Sequence, residues 1–187
     1  MIETERLLLR LAKVSDAEAV YNNWVSDPQV SKFMRWNTHT SIDETKEWLA
    51  ATEARGFTDN VHDWLFVLKE TGEPIGSGGV FYNSTCDALE LGYCVMRPLW
   101  GKGIASEAAK AILQFATEKL GKTKIYACHA KENMASGKIL EKLGFVYTGD
   151  TSYAKFDNSQ KFESSEYFYN VPESSESKEL SCTNKTS

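Results

Sequence analysis

Hydrophobic and polar positions along the chain alternate with two different periods. Residues 4–11 set leucines between charged side chains and read as a strand at a sheet edge. Ser15-Asp-Ala-Glu18 has the form of a capping box, and Ala17, Val20, Tyr21 and Trp24 then share one helical face. Ser41-Ile-Asp-Glu44 is a second box, followed by Trp48, Leu49 and Thr52, with Gly56 as the stop. Three β-type runs come next, at 62–69, 75–82 and 88–96. Glu70-Thr-Gly-Glu-Pro74 and Asn83-Ser-Thr-Cys-Asp87 divide them with turn chemistry, which predicts an antiparallel meander. The period then lengthens. Residues 103–120 place Ile104, Ala108, Ile112 and Phe115 on one face of a helix that Gly121 closes. Residues 124–130 read as a strand, 134–143 as a helix ended by Gly144, and 145–148 and 161–169 as strands. Strand 88–96, helix 103–120 and strand 124–130 make one βαβ unit, so those two strands should be parallel and the sheet mixed.

Composition adds boundaries. From Pro172 onward the only apolar side chains are Leu180 and Cys182, too few to offset the entropy of ordering. Residues 172–187 are therefore expected to be a disordered tail on a single domain of residues 1–171. The 26 acidic side chains against 21 basic ones give a net charge of −5, which argues against nucleic acid as the main partner. The longest apolar run, Trp64-Leu-Phe-Val-Leu68, is far short of the roughly 20 residues that span a bilayer. The charged N-terminus lacks a signal-peptide core, so a cytoplasmic protein without membrane contact is expected. Cys86, Cys94, Cys128 and Cys182 contain no C-x-x-C pair, and His39, His62 and His129 show no ligand spacing. Reduced structural thiols and no metal follow.

The segment Tyr93-Cys-Val-Met-Arg-Pro-Leu-Trp-Gly101-Lys-Gly103-Ile-Ala-Ser-Glu carries the most chemistry. It runs from a strand through a glycine turn into a helix. Glycines there leave backbone N–H groups uncovered beside the positive end of a helix dipole, which suits a pyrophosphate. No G-x-x-x-x-G-K-[ST] string is present, so a P-loop is excluded. The dinucleotide fingerprint fails too: its third glycine position is Ser106, the region near Thr123 offers lysines but no acid, and the unit follows a meander.

The glycine turn resembles the pyrophosphate loop of the general N-acetyltransferase (GNAT) superfamily, Q/R-x-x-G-x-G/A at a helix start. Gly101 and Gly103 match, while Pro98 stands at the first position. Asn133-Met-Ala-Ser136-Gly-Lys-Ile-Leu-Glu-Lys-Leu-Gly144-Phe145 and Thr4-Glu-Arg-Leu-Leu-Leu-Arg10 are similar to blocks of its RimJ/RimL-like branch. That branch includes acetyltransferases of ribosomal-protein N-termini and many that act on small amines. The resemblance covers residues 3–170 and implies an α+β GNAT fold: a central mixed, mostly antiparallel sheet with helices on both faces and a splayed parallel strand pair holding acetyl-CoA.

The resemblance also implies site residues. Backbone groups near Cys94, Val95 and Met96 would hold the pantetheine arm and donate to the thioester oxygen. Gly101, Lys102, Gly103, Ile104 and Ala105 would take the diphosphate. Glu90 is the candidate base, against the alternative of an exposed strand carboxylate. Ser136 is the candidate proton donor to the thiolate, against helix capping. Asn133 is matched to a residue that contacts the cofactor arm or the substrate. Arg35 and Trp36, in an aromatic-rich connection between two helices, are candidates for acceptor binding. Asp150 and Asp157 are possible second carboxylates without a clean match. Trp24, Trp48 and Trp64 are core, and Trp100 is a packing anchor. Cys94 and His129, on neighbouring strands, raise a nucleophile pair that the family's direct transfer disfavours. The expected function is transfer of acetyl from acetyl-CoA to a protein N-terminus or a small amine by a monomer or homodimer. A GNAT-fold acyl-CoA sensor without turnover is the alternative, and a nucleotide-binding oxidoreductase is a third.

Overall fold

The computed structural model describes residues 1–172; the tail from residue 173, expected to be disordered, lies outside the described residues. Eight strands form one sheet in the order β1-β2-β3-β4-β5-β6-β8-β7. They are β1 (Ile2–Glu3), β2 (Leu7–Arg10), β3 (Val61–Leu68), β4 (Glu73–Asn83), β5 (Ala88–Val95), β6 (Lys124–Ala130), β7 (Val146–Ala154) and β8 (Lys161–Asn170). Every neighbouring pair is antiparallel except β5 and β6, as a βαβ crossover requires. The fold is the expected α+β arrangement.

Alternation along β5 divides the core between the two faces of the sheet. Leu89, Leu91 and Val95 join α4 (Ile104–Gln114) and Leu140 of α5 (Met134–Lys142) on one side. Cys94 joins Val20, Trp24 and Leu49 on the other, where α1 (Ala17–Val20), α2 (Pro28–Ser31) and α3 (Ile42–Arg55) pack. In α4, Ile104, Ala108 and Ile112 recur every fourth residue and are all buried, and the alanines let the helix lie close to the sheet. A π-helical turn, Phe115–Lys119, extends α4 to Gly121 at φ +63°. No helix among the described residues is long and apolar enough to cross a membrane.

Four expectations need correction. Residues 4–11 do not form an edge strand. The chain turns at Thr4, whose N–H bonds the Leu7 carbonyl at 2.9 Å, so β1 folds back and takes the edge. The capping box at Ser15–Glu18 does not form either: the helical run begins earlier, and Asp16 accepts from the Lys13 N–H at 2.8 Å while its carboxylate grips Arg10. The second box forms by half. Ser41 Oγ accepts from Glu44 N–H at 3.2 Å, but Glu44 answers to Thr40 N–H rather than to Ser41. Finally, the strand expected at 145–148 runs to Ala154, because β8 offers it a partner along its whole length.

Candidate active site

The parallel pair is the centre of the site. β5 and β6 are paired only at Leu89↔Ile125 and Glu90↔Tyr126, and beyond Glu90 they part. Met96 N–H bonds the Ile75 carbonyl at 2.8 Å. Alternation of an antiparallel ladder then turns the backbone groups of Cys94 and Gly92 toward β4, and those of Tyr93 and Val95 into the gap. Of the three residues expected along the arm, Val95 is the one whose backbone faces the gap. Its carbonyl already accepts from the Trp100 indole at 2.8 Å, which ties the strand end to the turn that follows and gives Trp100 a specific anchoring role.

That turn leads into α4 through two left-handed glycines, Gly101 at φ +74° and Gly103 at φ +78°. A side chain at either position would be strained. Among the described residues, the N–H groups of Gly101, Gly103, Ile104 and Ala105 find no acceptor, so they are available to an anion at the helix start. The Ile104 side chain is buried in the core, and only its backbone serves the turn.

The N-terminal Thr4-Glu-Arg6 block is built into this turn. Arg6 donates from Nε to Glu107 Oε2 at 2.6 Å and from Nη1 to the Lys102 carbonyl at 2.9 Å, while its backbone N–H takes Glu107 Oε1 at 2.8 Å. Burial works against the Glu107 charge. The Thr4 hydroxyl and Arg6 outweigh it and hold the carboxyl below its usual range. An acid in the first turn of α4 would otherwise oppose an incoming anion; paired with Arg6, it does not.

On the face of α1 to α3, Glu90 lies among polar partners. Arg35 Nη2 donates to Glu90 Oε1 at 3.2 Å, Asn83 Nδ2 to Oε2 at 2.8 Å, and the Cys128 thiol to Oε1 at 3.6 Å. The Arg35 guanidinium sits 4.8 Å from the centre of the Tyr153 ring. Burial works against its charge, and Glu90 more than compensates. Trp36, next in sequence, packs edge-on to His39, with ring centres 6.1 Å apart.

On the opposite face, Ser136 Oγ and Tyr93 OH share a hydrogen bond at 3.2 Å. Burial pushes the Tyr93 phenol up to about 12, so it stays a protonated donor at physiological pH. The Asn133 side chain caps α5, accepting from Ser136 N–H at 3.4 Å, so its amide oxygen is already committed to the helix start.

The other candidates have partners of their own. Lys131 and Tyr147 hold Asp150 at 2.6 and 3.0 Å, and Asn37 and Ser159 hold Asp157 at 2.7 Å each. Both carboxyls lie below their usual range for those reasons. Cys94 packs in the α1 to α3 core, its thiol pushed up to about 11 by burial. His129 faces α5, with Nε2 3.4 Å from Tyr167 OH. The two lie on opposite faces of the sheet and form no nucleophile pair.

Sequence reasoning missed Tyr93, although it stands in the quoted strand and alternates with Glu90. It also missed Asp63 on β3. Register sets Asp63 abreast of Gly79 and thence Gly92, on the same face as Glu90. Burial pushes the Asp63 carboxyl up to about 6, outweighing the opposing charge of Arg55 3.7 Å away.

A splayed strand pair feeding a glycine turn at a helix start defines an acyltransferase of the GNAT type. The family model for the acetyltransferase (GNAT) domain matches residues 6–146, and the chain belongs to that family: it is a GNAT-family N-acetyltransferase. It is 31% identical over 147 residues to uncharacterized N-acetyltransferase p20 of Bacillus licheniformis, covering 78% of this chain and 82% of that protein. Among solved structures it is similar to ribosomal-protein-S5-alanine acetyltransferase from Vibrio fischeri, with TM-score 0.76, 20% identity and coverage of 91% and 96%. It is also similar to microcin C7 self-immunity acetyltransferase MccE, solved with acetyl-CoA and AMP, with TM-score 0.75, 16% identity and coverage of 90% and 94%. At such identities the structures speak to the fold alone.

Proposed function

We propose that this N-acetyltransferase moves the acetyl group of acetyl-CoA to a primary amine by direct attack in a ternary complex, with Glu90 and Ser136 handling the protons. The observation that carries the reading is the early parting of β5 and β6, with free N–H groups at the foot of the gap and polar side chains on both faces of the sheet around it. Acetyl-CoA, when bound, supplies a thioester whose carbonyl carbon is open to an amine.

The N–H groups of Gly101, Gly103, Ile104 and Ala105 suit the diphosphate, and Lys102 adds a charge. The backbone of Tyr93 and Val95 suits the arm, and the Val95 N–H is the candidate donor to the thioester oxygen. Glu90, oriented by Arg35 and Asn83, takes the proton that the amine loses as its nitrogen bonds to carbon. As the carbon–sulfur bond breaks, Ser136, backed by Tyr93, gives a proton to the thiolate.

Magnitudes favour one class of acceptor. At pH 7.4 an α-amine costs under about 1 kcal/mol to deprotonate and a lysine about 4. A single carboxylate base suits a protein N-terminus or a weakly basic small amine better. The name of the Vibrio fischeri neighbour, which specifies the alanine of ribosomal protein S5, is in line with the first.

The test is thiol release from acetyl-CoA with an alanine-led peptide, a lysine-containing peptide blocked at its N-terminus, and 1,4-diaminobutane. Release with any of these amines supports acetyl transfer, and a preference for the alanine-led peptide over the two more basic amines supports the choice of acceptor. Tight binding of acetyl-CoA with no release on any amine would overturn it in favour of a sensor.

A further inference from the structure

The loop that carries Arg35 has an anchor that the proposed chemistry does not use. Lys155, at the end of β7, is buried, at 9% exposure. Its ammonium donates to three backbone carbonyls: Ser31 at 3.1 Å, Met34 at 3.1 Å and Trp36 at 3.0 Å. An ammonium has three donors and no acceptor, so all three are spent on one stretch of chain. Those carbonyls lie at and just beyond the C-terminal end of α2, where helical partners run out and a cation is favoured.

The same hairpin makes further ties to that stretch. Tyr153 OH donates to the Phe33 carbonyl at 2.7 Å, and Phe156 N–H to the Arg35 carbonyl at 2.7 Å. Asn37 Nδ2 reaches Asp157 at 2.7 Å. Residues 31–37 are thus bound to the β7–β8 hairpin, more than a hundred residues away in sequence. Arg35, in the middle of them, is the residue that touches Glu90.

We propose that Lys155 is a positioning residue for the acceptor side of the site: it locks the 31–37 loop so that Arg35 stays on Glu90 before any substrate arrives. The inference rests on the reading of Glu90 and Arg35 as the acceptor site. Its physical logic is preorganisation. A loop fixed in advance spares the acceptor the entropy of ordering it, and small misplacements of a catalytic group are costly. Among the described residues the glycine turn and its helix make no hydrogen bond to this network, so acetyl-CoA should not sense it.

The test compares the wild type with Lys155→Met, which keeps the stem and loses the donors, Lys155→Arg, which keeps charge and donors, and Asp157→Ala, which cuts the exposed tie to Asn37 together with the local bonds to Ser159. Thiol release is followed with an alanine-led peptide and with 1,4-diaminobutane, varying each substrate in turn. Lys155→Met is expected to lower kcat/KM for the acceptor by about tenfold to a hundredfold, with the KM for acetyl-CoA unchanged within about twofold. Lys155→Arg should restore a good part of the loss, and Asp157→Ala should show a smaller loss of the same kind. Trypsin under native conditions should cut Lys155→Met after Arg35 at least about tenfold faster than the wild type.

A KM for acetyl-CoA raised along with the loss in kcat/KM for the acceptor would overturn the proposal in favour of general destabilisation. So would faster cutting with acceptor kinetics intact. A wild type that acetylates neither amine would count against the proposed function instead. The clamp would then stand or fall on trypsin: cutting as slow as in the wild type overturns it.

Discussion

Replacing Arg6 by Ala should weaken the binding of acetyl-CoA although Arg6 lies outside the glycine turn. The substitution removes the Nε bond to Glu107 at 2.6 Å and the Nη1 bond to the Lys102 carbonyl at 2.9 Å, and keeps the backbone N–H bond at 2.8 Å. The Arg6 side chain is 41% exposed, so the ion pair is screened and contributes well under about 1 kcal/mol. The bond to the carbonyl adds about 1 kcal/mol. Together the two give about 1–2 kcal/mol that the ligand must supply when it orders the turn, or about 5- to 30-fold in Kd. Calorimetric titration with acetyl-CoA measures this directly, and Glu107→Gln should move Kd in the same direction by less. A Kd within twofold of the wild type, with Tm lowered by the full amount, would show that Arg6 serves the fold and would refute the reasoning.

Three further outcomes follow from particular contacts. Asp63, raised to about 6 by burial, binds more protons folded than unfolded between about pH 4 and 6; stability should therefore fall as pH rises through that window, by up to about 3 kcal/mol. Chemical denaturation should show this fall in the wild type and its absence in Asp63→Asn; equal slopes in both would contradict it. Gly137→Ala would set a methyl 2.7 Å from His129 Nε2, whose ring is held by Ala130 and Tyr167, and should cost about 1–3 kcal/mol despite the helix preference for alanine; an unchanged or raised Tm would show that the ring gives way. Trp100→Phe frees the Val95 carbonyl and should raise the KM for acetyl-CoA several-fold while leaving acceptor kinetics alone, as varying each substrate in turn would reveal.

What could be read from the chain beforehand was what local physics controls. Gly101, Gly103, Gly121 and Gly144 all take positive φ, and the helix boundaries expected from them hold closely. The meander followed from turn residues between apolar runs. Register across the sheet was a different matter. That β5 pairs with β6 only as far as Glu90 is a relation between two strands distant in sequence, and no residue of β5 alone displays it. Tyr93 was hidden because its value lies in a hydroxyl on α5, forty-three residues further on. Lys155 was hidden for the same reason: a lysine near a turn looks solvated until the hairpin brings it under the end of α2. The strand expected at residues 4–11 forms only from Leu7 to Arg10, because Thr4 and Arg6 are drawn to Glu107, a long-range demand that alternation of leucines cannot reveal.

The central claim is that Glu90 takes the proton from the attacking amine, and the pH–rate profile of Glu90→Gln against the wild type tests it most directly. With an alanine-led peptide and saturating acetyl-CoA, the variant should lose about 10²- to 10⁴-fold in kcat/KM at low pH. It should recover toward the wild type as pH rises past the amine's own range and the acceptor arrives already neutral. A variant profile parallel to the wild type at every pH would contradict the claim and leave Glu90 as a partner of Arg35 alone.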